Sequence, residues 1–242
     1  MATFVLVHGA WHGGWCYRDT ARALRAAGHD VFTPTHTGLG ERAHLAGEGV
    51  TMETHIRDIC GVLEAEELSN VILCGHSYGG MVITGVADRM PERIKALVYL
   101  DAFVPENGQS SNDALMPGLE PEMAAGYVST FRSSALTTRG MVAAMPSEVF
   151  QVATAENRAW VDRRCTAQSL ATWEMPLMLT GAGDTVKQRG YIVAEGWGPS
   201  PFPYLANKYD GQPGWRVLRF PCGHDLMVDM PGELAAGLLN FV

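Results

Sequence analysis

Val71-Ile72-Leu73-Cys74-Gly75-His76-Ser77-Tyr78-Gly79-Gly80 joins a short apolar, β-branched run to a stretch in which Met81, Val82, Val86 and Met90 recur at helical spacing until Pro91 ends it. The pattern predicts a strand that turns abruptly into a helix with one hydroxyl, that of Ser77, exposed at the bend. Glycines two residues either side fit such a turn, because a side chain there would strike the neighbouring strand or helix. Three fixed residues in five also recur by chance, so the strand before and the helix after give the pentapeptide its weight. Ser77 is therefore a candidate nucleophile, and the chain a candidate serine hydrolase.

Outward from the bend, short apolar runs alternate with helical periodicity. Strands are expected at Thr3 to Val7, Asp30 to Thr33 and Ala96 to Leu100, with helices at Asp19 to Ala27 and Thr51 to Leu68. In the second helix Met52, Ile56, Ile59 and Leu63 mark the core face, with Thr51 placed to cap. This alternation predicts an α/β fold, a doubly wound, mostly parallel sheet with helices on both faces. From Pro105 to about Met175 the pattern changes to methionine, tryptophan and small polar residues with weak helical periodicity, read as a helical cap inserted at about 105–175 into a single domain spanning 1–242. The sheet is expected to resume at Pro176 to Thr180 and Trp215 to Phe220, before a closing helix at Pro231 to Phe241. The Gly-, Pro- and Tyr-rich segment Gly190 to Gly214 reads as a long structured loop.

Composition narrows the function. The chain has 242 residues, a formal net charge of −8 and only 18 Lys and Arg, so there is no basic stripe for nucleic acid or an anionic membrane surface. A small-molecule substrate is the expected partner, and self-association into a homo-oligomer stays open. Five scattered cysteines without a C-x-x-C pair suggest neither a disulfide framework nor a thiolate metal site. With no signal-like n-region and no stretch long enough to span a membrane, a cytoplasmic location is the simplest expectation.

A hydroxyl at its ordinary pKa is a poor nucleophile, so Ser77 needs a base, and the base an orienting carboxylate. His224, in Pro221-Cys222-Gly223-His224-Asp225 after the last expected strand, is the one histidine placed to return over the bend. Asp184 is the preferred acid, because it follows the Gly181-Ala182-Gly183 turn at the end of the expected penultimate strand. Asp101, at the end of the strand after the elbow helix, is the alternative acid, and Glu195 a remote third. Two backbone N–H groups suffice for an oxyanion hole. Tyr78 follows the nucleophile, and Ala10 lies in the glycine-rich loop His8-Gly9-Ala10-Trp11-His12-Gly13-Gly14-Trp15. His8 and His12 are four apart, but the intervening glycines disfavour a ligating helix and no third ligand cluster exists, so no metal is expected. Nor is a dinucleotide cofactor, since G-x-G-x-x-G is absent.

Together, Val-His-Gly-Ala-Trp-His-Gly-Gly-Trp at 7–15, Gly-His-Ser-Tyr-Gly-Gly at 75–80, Tyr-Leu-Asp-Ala-Phe-Val-Pro at 99–105 and Gly-His-Asp at 223–225 resemble the α/β-hydrolase superfamily. More narrowly they resemble the branch of plant methylesterases, hydroxynitrile lyases and bacterial esterases that degrade pyrethroids and carbamates, most of all the bacterial esterases acting on carbendazim, methyl benzimidazol-2-ylcarbamate. The resemblance covers essentially the whole chain. It implies a cofactor-free hydrolase cleaving small aromatic esters or methyl carbamates through a Ser-His-Asp triad and an acyl-enzyme. The stretch between Asp184 and His224 is longer than that branch leads one to expect. A hydroxynitrile lyase is the first alternative, disfavoured by Gly9 where those lyases carry threonine and by Asp225 where they carry lysine. A small-ligand receptor on a hydrolase fold is the second.

Overall fold

The computed structural model describes residues 1–242. Six parallel strands form the main sheet: β1 Thr3–Val7, β2 Asp30–Phe32, β3 Val71–His76, β4 Ile94–Leu100, β7 Gln188–Ala194 and β8 Trp215–Phe220, in the order β2-β1-β3-β4-β7-β8. A two-residue antiparallel pair, β5 Met141–Val142 with β6 Gln168–Ser169, stands apart from it. Alternate residues of each central strand enter opposite cores, as a pleated strand buried on both faces requires. Val5, Leu73, Tyr99 and Val193 face one core, while Phe4, Ile72, Val98 and Ile192 face the other.

Helices α1 Arg18–Ala26 and α10 Pro231–Leu238 close one face through Ala21, Leu24, Leu234 and Leu238. On the other face lie α2 Met52–Ala65 and α3 Gly79–Arg89. The four α2 positions expected to face inward are all buried, and Thr51 caps the helix by accepting from the Thr54 N–H. Four helices lie between β4 and β7: α4 Ser111–Leu115, α5 Pro121–Thr137, α6 Ala155–Asp162 and α7 Ala171–Glu174. Two more, α8 Phe202–Tyr209 and α9 Leu226–Asp229, flank β8. No helix is long and apolar enough to cross a membrane.

Two sequence expectations fail together, between residues 176 and 214. Pro176–Thr180 is not a strand. Met178 is 70 % exposed, and the backbone N–H groups of Leu177, Leu179 and Thr180 donate to Gln109, Asn107 and Asp88 instead of to a neighbouring strand. The strand is Gln188–Ala194, which runs into the region read as loop, and Phe202–Tyr209 within that region is a helix. Gly190 made β7 look like loop, yet it serves packing: a Cβ there would lie 2.2 Å from Cζ of Phe241.

From β1 the chain moves outward to β2, then returns across β1 to β3 and continues the other way. This reversal opens a crevice at the carboxyl ends of β1 and β3, where an open α/β sheet binds its ligand. The loop from His8 and the Ser77 bend leave the sheet at this point.

Candidate active site

Ser77 sits at φ 51°, a left-handed conformation an L-residue adopts only at a cost of roughly 1–2 kcal/mol. The glycines around it explain how the bend is accommodated. A Cβ on Gly75 would lie 2.6 Å from the Gly79 carbonyl oxygen, and one on Gly79 would lie 2.8 Å from the carbonyls of Val7 and His8. The expected elbow between strand and helix is therefore formed, with the elbow helix pressed against the end of β1.

His224 follows β8 and is buried, its backbone N–H donating to the Phe150 carbonyl and its own carbonyl accepting from His76 Nε2 at 2.9 Å. Its Nδ1 lies 2.6 Å from Oδ2 of Asp101, whose Oδ1 accepts the Ala194 N–H at 3.0 Å. Ser77 and His224 line one pocket. The N–H of Ser77 is taken by Leu100 at 3.2 Å, whereas those of Tyr78 and Ala10 donate to no protein group. Those two donors are the pair expected from the sequence.

Asp184 is not brought to His224. It precedes β7, at the amino end of the strand; its side chain is 82 % exposed and pairs with Arg189 at 3.0 Å. The expectation failed because it placed the strand at 176–180, which would have put Asp184 at a carboxyl end. Asp101, at the carboxyl end of β4, is the carboxylate that reaches the imidazole. The neighbouring strand β7 contributes the Ala194 N–H that holds the carboxylate and the Ile192 carbonyl that accepts from the Asp101 backbone N–H at 2.7 Å. Glu195 pairs with Arg219 at 3.1 Å on the surface.

A family profile described as the alpha/beta hydrolase family matches residues 4–237, nearly the whole chain. The chain belongs to the α/β-hydrolase family. This hydrolase is 64% identical over 239 residues to a carbendazim hydrolyzing esterase from Nocardioides sp. (strain SG-4G), covering 98% of each chain. It is 34% identical over 116 residues to a pyrethroid hydrolase from Sphingobium wenxiniae, covering 47% of this chain and 40% of that one. An extracellular α/β-hydrolase from a Paenibacillus species shares its fold at a TM-score of 0.81 with 24% identity, covering 99% of this chain and 98% of that one.

The pocket over the hydrolase's Ser77 is apolar, 11 of its 14 lining residues being hydrophobic. Much of the wall comes from the segment read as a cap, including Leu115, Tyr127, Phe131 and Trp173. Sequence reasoning missed Trp197 and Phe202, which lie in the segment read as loop. Trp197 stands 4.3 Å from the His224 ring, and Phe202 stacks on it at 5.3 Å and 8°. Trp160, a tryptophan of the segment read as a cap, packs away from the pocket, edge-on against Trp15 with Arg18 and Arg164 over its ring.

Burial among these rings pushes His224 down to about 3, against the pull of Asp225, so the imidazole is neutral and able to accept a proton at neutral pH. Burial raises the Asp101 carboxyl, which the Ala194 N–H opposes by favouring the ionised form. Behind the elbow lies a cluster of further buried histidines. Burial lowers His8 to about 3 and His55 to about 4, and takes His36 and His76 well below their ordinary value. His55 Nδ1 accepts from the Tyr78 hydroxyl at 2.9 Å, and His8 Nδ1 donates to the Gly9 carbonyl at 2.8 Å.

These histidines make stability pH-dependent in a definite direction. Each is neutral when folded and titrates near about 6.5 when unfolded. The unfolded chain therefore binds more protons below that pH, and stability falls as pH drops from about 6.5 toward the folded values, by up to about 1.4 kcal/mol per group per pH unit. Urea unfolding at pH 7.5, 6 and 5 is expected to give midpoints that fall steadily; equal midpoints at all three would contradict the burial of neutral imidazoles.

Proposed function

We propose that this hydrolase cleaves small, flat aromatic esters and methyl carbamates of the carbendazim type, with Ser77 as nucleophile, His224 as base and Asp101 as the orienting acid. The observation that carries the reading is the 2.6 Å contact between Asp101 and His224 in a pocket that Ser77 also lines. Asp101 holds the proton on Nδ1 and so presents the lone pair of Nε2 to the serine. Ser77 Oγ attacks the carbonyl carbon and His224 takes its proton, while the negative charge gathering on the carbonyl oxygen meets the N–H groups of Ala10 and Tyr78. The tetrahedral intermediate collapses, His224 passes the proton to the departing methanol oxygen, and the acyl group remains on Ser77. Water, activated by the same imidazole, then releases the acid. From a methyl carbamate that acid is a carbamic acid, which loses carbon dioxide to leave the amine.

A carbamate carbonyl is less electrophilic than an ester, because the nitrogen lone pair feeds into it, so the two N–H donors contribute more there. The apolar wall suits a planar heteroaromatic ring, since small-ligand pockets are lined mostly by hydrophobic and aromatic side chains. The 64% identical carbendazim hydrolyzing esterase supports the same substrate class.

Purified protein incubated with carbendazim is expected to release methanol and the aminobenzimidazole in equal amounts. Turnover of 4-nitrophenyl acetate without any of carbendazim or its methyl carbamate relatives would leave the esterase and remove the substrate. A fluorophosphonate adduct without ester turnover would favour the receptor. Since His224 titrates below its ordinary range, kcat/KM is expected to hold as pH falls through about 6.5 and to lose activity only below that. An acidic limb at or above about 6.5 would contradict the burial argument.

A further inference from the structure

A second histidine–carboxylate pair lies beneath the first. His12 Nδ1 is 2.7 Å from the Ala10 carbonyl oxygen, and its Nε2 is 3.2 Å from Oδ2 of Asp225. A carbonyl and a carboxylate only accept, so both ring nitrogens donate and His12 is an imidazolium. The two side chains are buried at 4% and 0% exposure. Taking both charges out of water costs several kcal/mol per ion, and an apolar pair would avoid that cost, so the pair is better explained by what it holds than by stability alone.

It holds the two loops that must face one another. Ala10 lies between two peptide groups that are both fixed: the Gly9 carbonyl accepts from His8 Nδ1 at 2.8 Å, and the Ala10 carbonyl accepts from His12. The far side of the second peptide is held too, the Trp11 N–H donating to Gln168 Oε1 at 3.0 Å. The Ala10 N–H is thereby left with one direction. At the other end, Asp225 directly follows His224, and its Oδ1 stands 3.9 Å from the same His76 Nε2 that donates to the His224 carbonyl.

We propose that the His12–Asp225 pair ties the oxyanion loop after β1 to the histidine loop after β8, setting where the Ala10 N–H points relative to the His224 imidazole. His12 and Asp225 are then positioning residues, and the assignment rests on Ala10 acting as an oxyanion donor. Burial opposes the charge on His12, but Asp225 outweighs it and raises the imidazole above its ordinary range, while His12 holds the Asp225 carboxyl below the usual carboxylate values. The other groups facing the pair are Trp15, stacked on His12 at 5.2 Å, the neutral His8, His76 and His224, and, near Asp225, Asp101, Asp229, Cys16, Tyr17, Cys165 and Cys222.

Nitrogen-15 NMR of the histidine-labelled wild-type enzyme at pH 7.5 reads the charge directly. Among the buried histidines, His12 alone is expected to carry two protonated ring nitrogens; a single protonated nitrogen overturns the proposal. In kinetics with a 4-nitrophenyl ester, His12→Ala and Asp225→Ala are expected to lower kcat about tenfold to a hundredfold, the cost of a small misplacement, with KM within about twofold. Asp225→Asn should recover most of that loss. Its amide can donate to Nε2 of a neutral His12 and leave the Nδ1 hydrogen on Ala10. Full kcat in His12→Ala, or Asp225→Asn as impaired as Asp225→Ala, overturns the positioning role while the triad reading stands. A wild-type enzyme without ester turnover overturns both.

Discussion

Asp101→Asn is expected to lower kcat for ester hydrolysis by about ten-thousandfold, and Asp184→Asn to leave it within about twofold. The asymmetry follows from what each carboxylate touches. Asp101 accepts from the Ala194 N–H on one oxygen and meets His224 Nδ1 on the other. An amide in that place can donate to Nδ1, which moves the ring hydrogen to Nε2, where it blocks proton transfer from Ser77. Asp184 makes a surface pair with Arg189, a contact worth at most about 1 kcal/mol of stability and remote from the pocket. Steady-state kinetics on the two variants, with circular dichroism to verify folding, checks the assignment. Loss of activity in Asp184→Asn with an active Asp101→Asn would reverse it.

Ser77→Ala and His224→Ala form the second large expectation. Each is expected to remove turnover by up to about a millionfold, and the double variant to be hardly worse than either alone, because nucleophile and base act as one unit. Ser77→Ala also removes only an oxygen at a residue whose backbone is fixed by the Leu100 carbonyl and the packed elbow, so thermal stability should be almost unchanged. His224→Ala differs in that respect. The ring is enclosed by Phe150, Trp197 and Phe202, so its removal opens a cavity and is expected to cost about 2–4 kcal/mol of stability. Denaturant titrations beside the kinetics separate the two effects. Residual turnover in Ser77→Ala of more than about a hundredth of the wild-type rate would require another nucleophile.

The parts of the site written locally in the sequence were legible. The elbow needs a strand, a bend and a helix within about twenty residues, and glycines at 75 and 79 betray the close approach of backbone to backbone. His224 was legible because it is the one histidine that follows the last strand. The acid was not, because its identity depends on which segments pair in the sheet. Pro176–Thr180 carries the apolar run of a strand but sends its hydrogen bonds to a loop and to side chains. Gln188–Ala194 pairs with β4, although its polar start and Gly190 disguise it. Once β7 is moved to 188–194, Asp184 falls at the wrong end, and the carboxylate beside His224 is Asp101, at the neighbouring strand end. The His12–Asp225 pair spans 213 positions and left no local trace beyond a carboxylate next in sequence to His224. Trp197 and Phe202 were hidden for the same reason as β7, in a segment whose glycines and prolines read as loop.

Covalent attack by Ser77 underlies the proposed chemistry, and its immediate product is an acyl-enzyme. Intact-protein and peptide mass spectrometry after acid quench of the enzyme with excess 4-nitrophenyl acetate should find one acetyl group per chain, carried by the peptide containing Ser77, and none in Ser77→Ala. Rapid 4-nitrophenol release with no acyl adduct on Ser77, or an adduct that persists in Ser77→Ala, would contradict it.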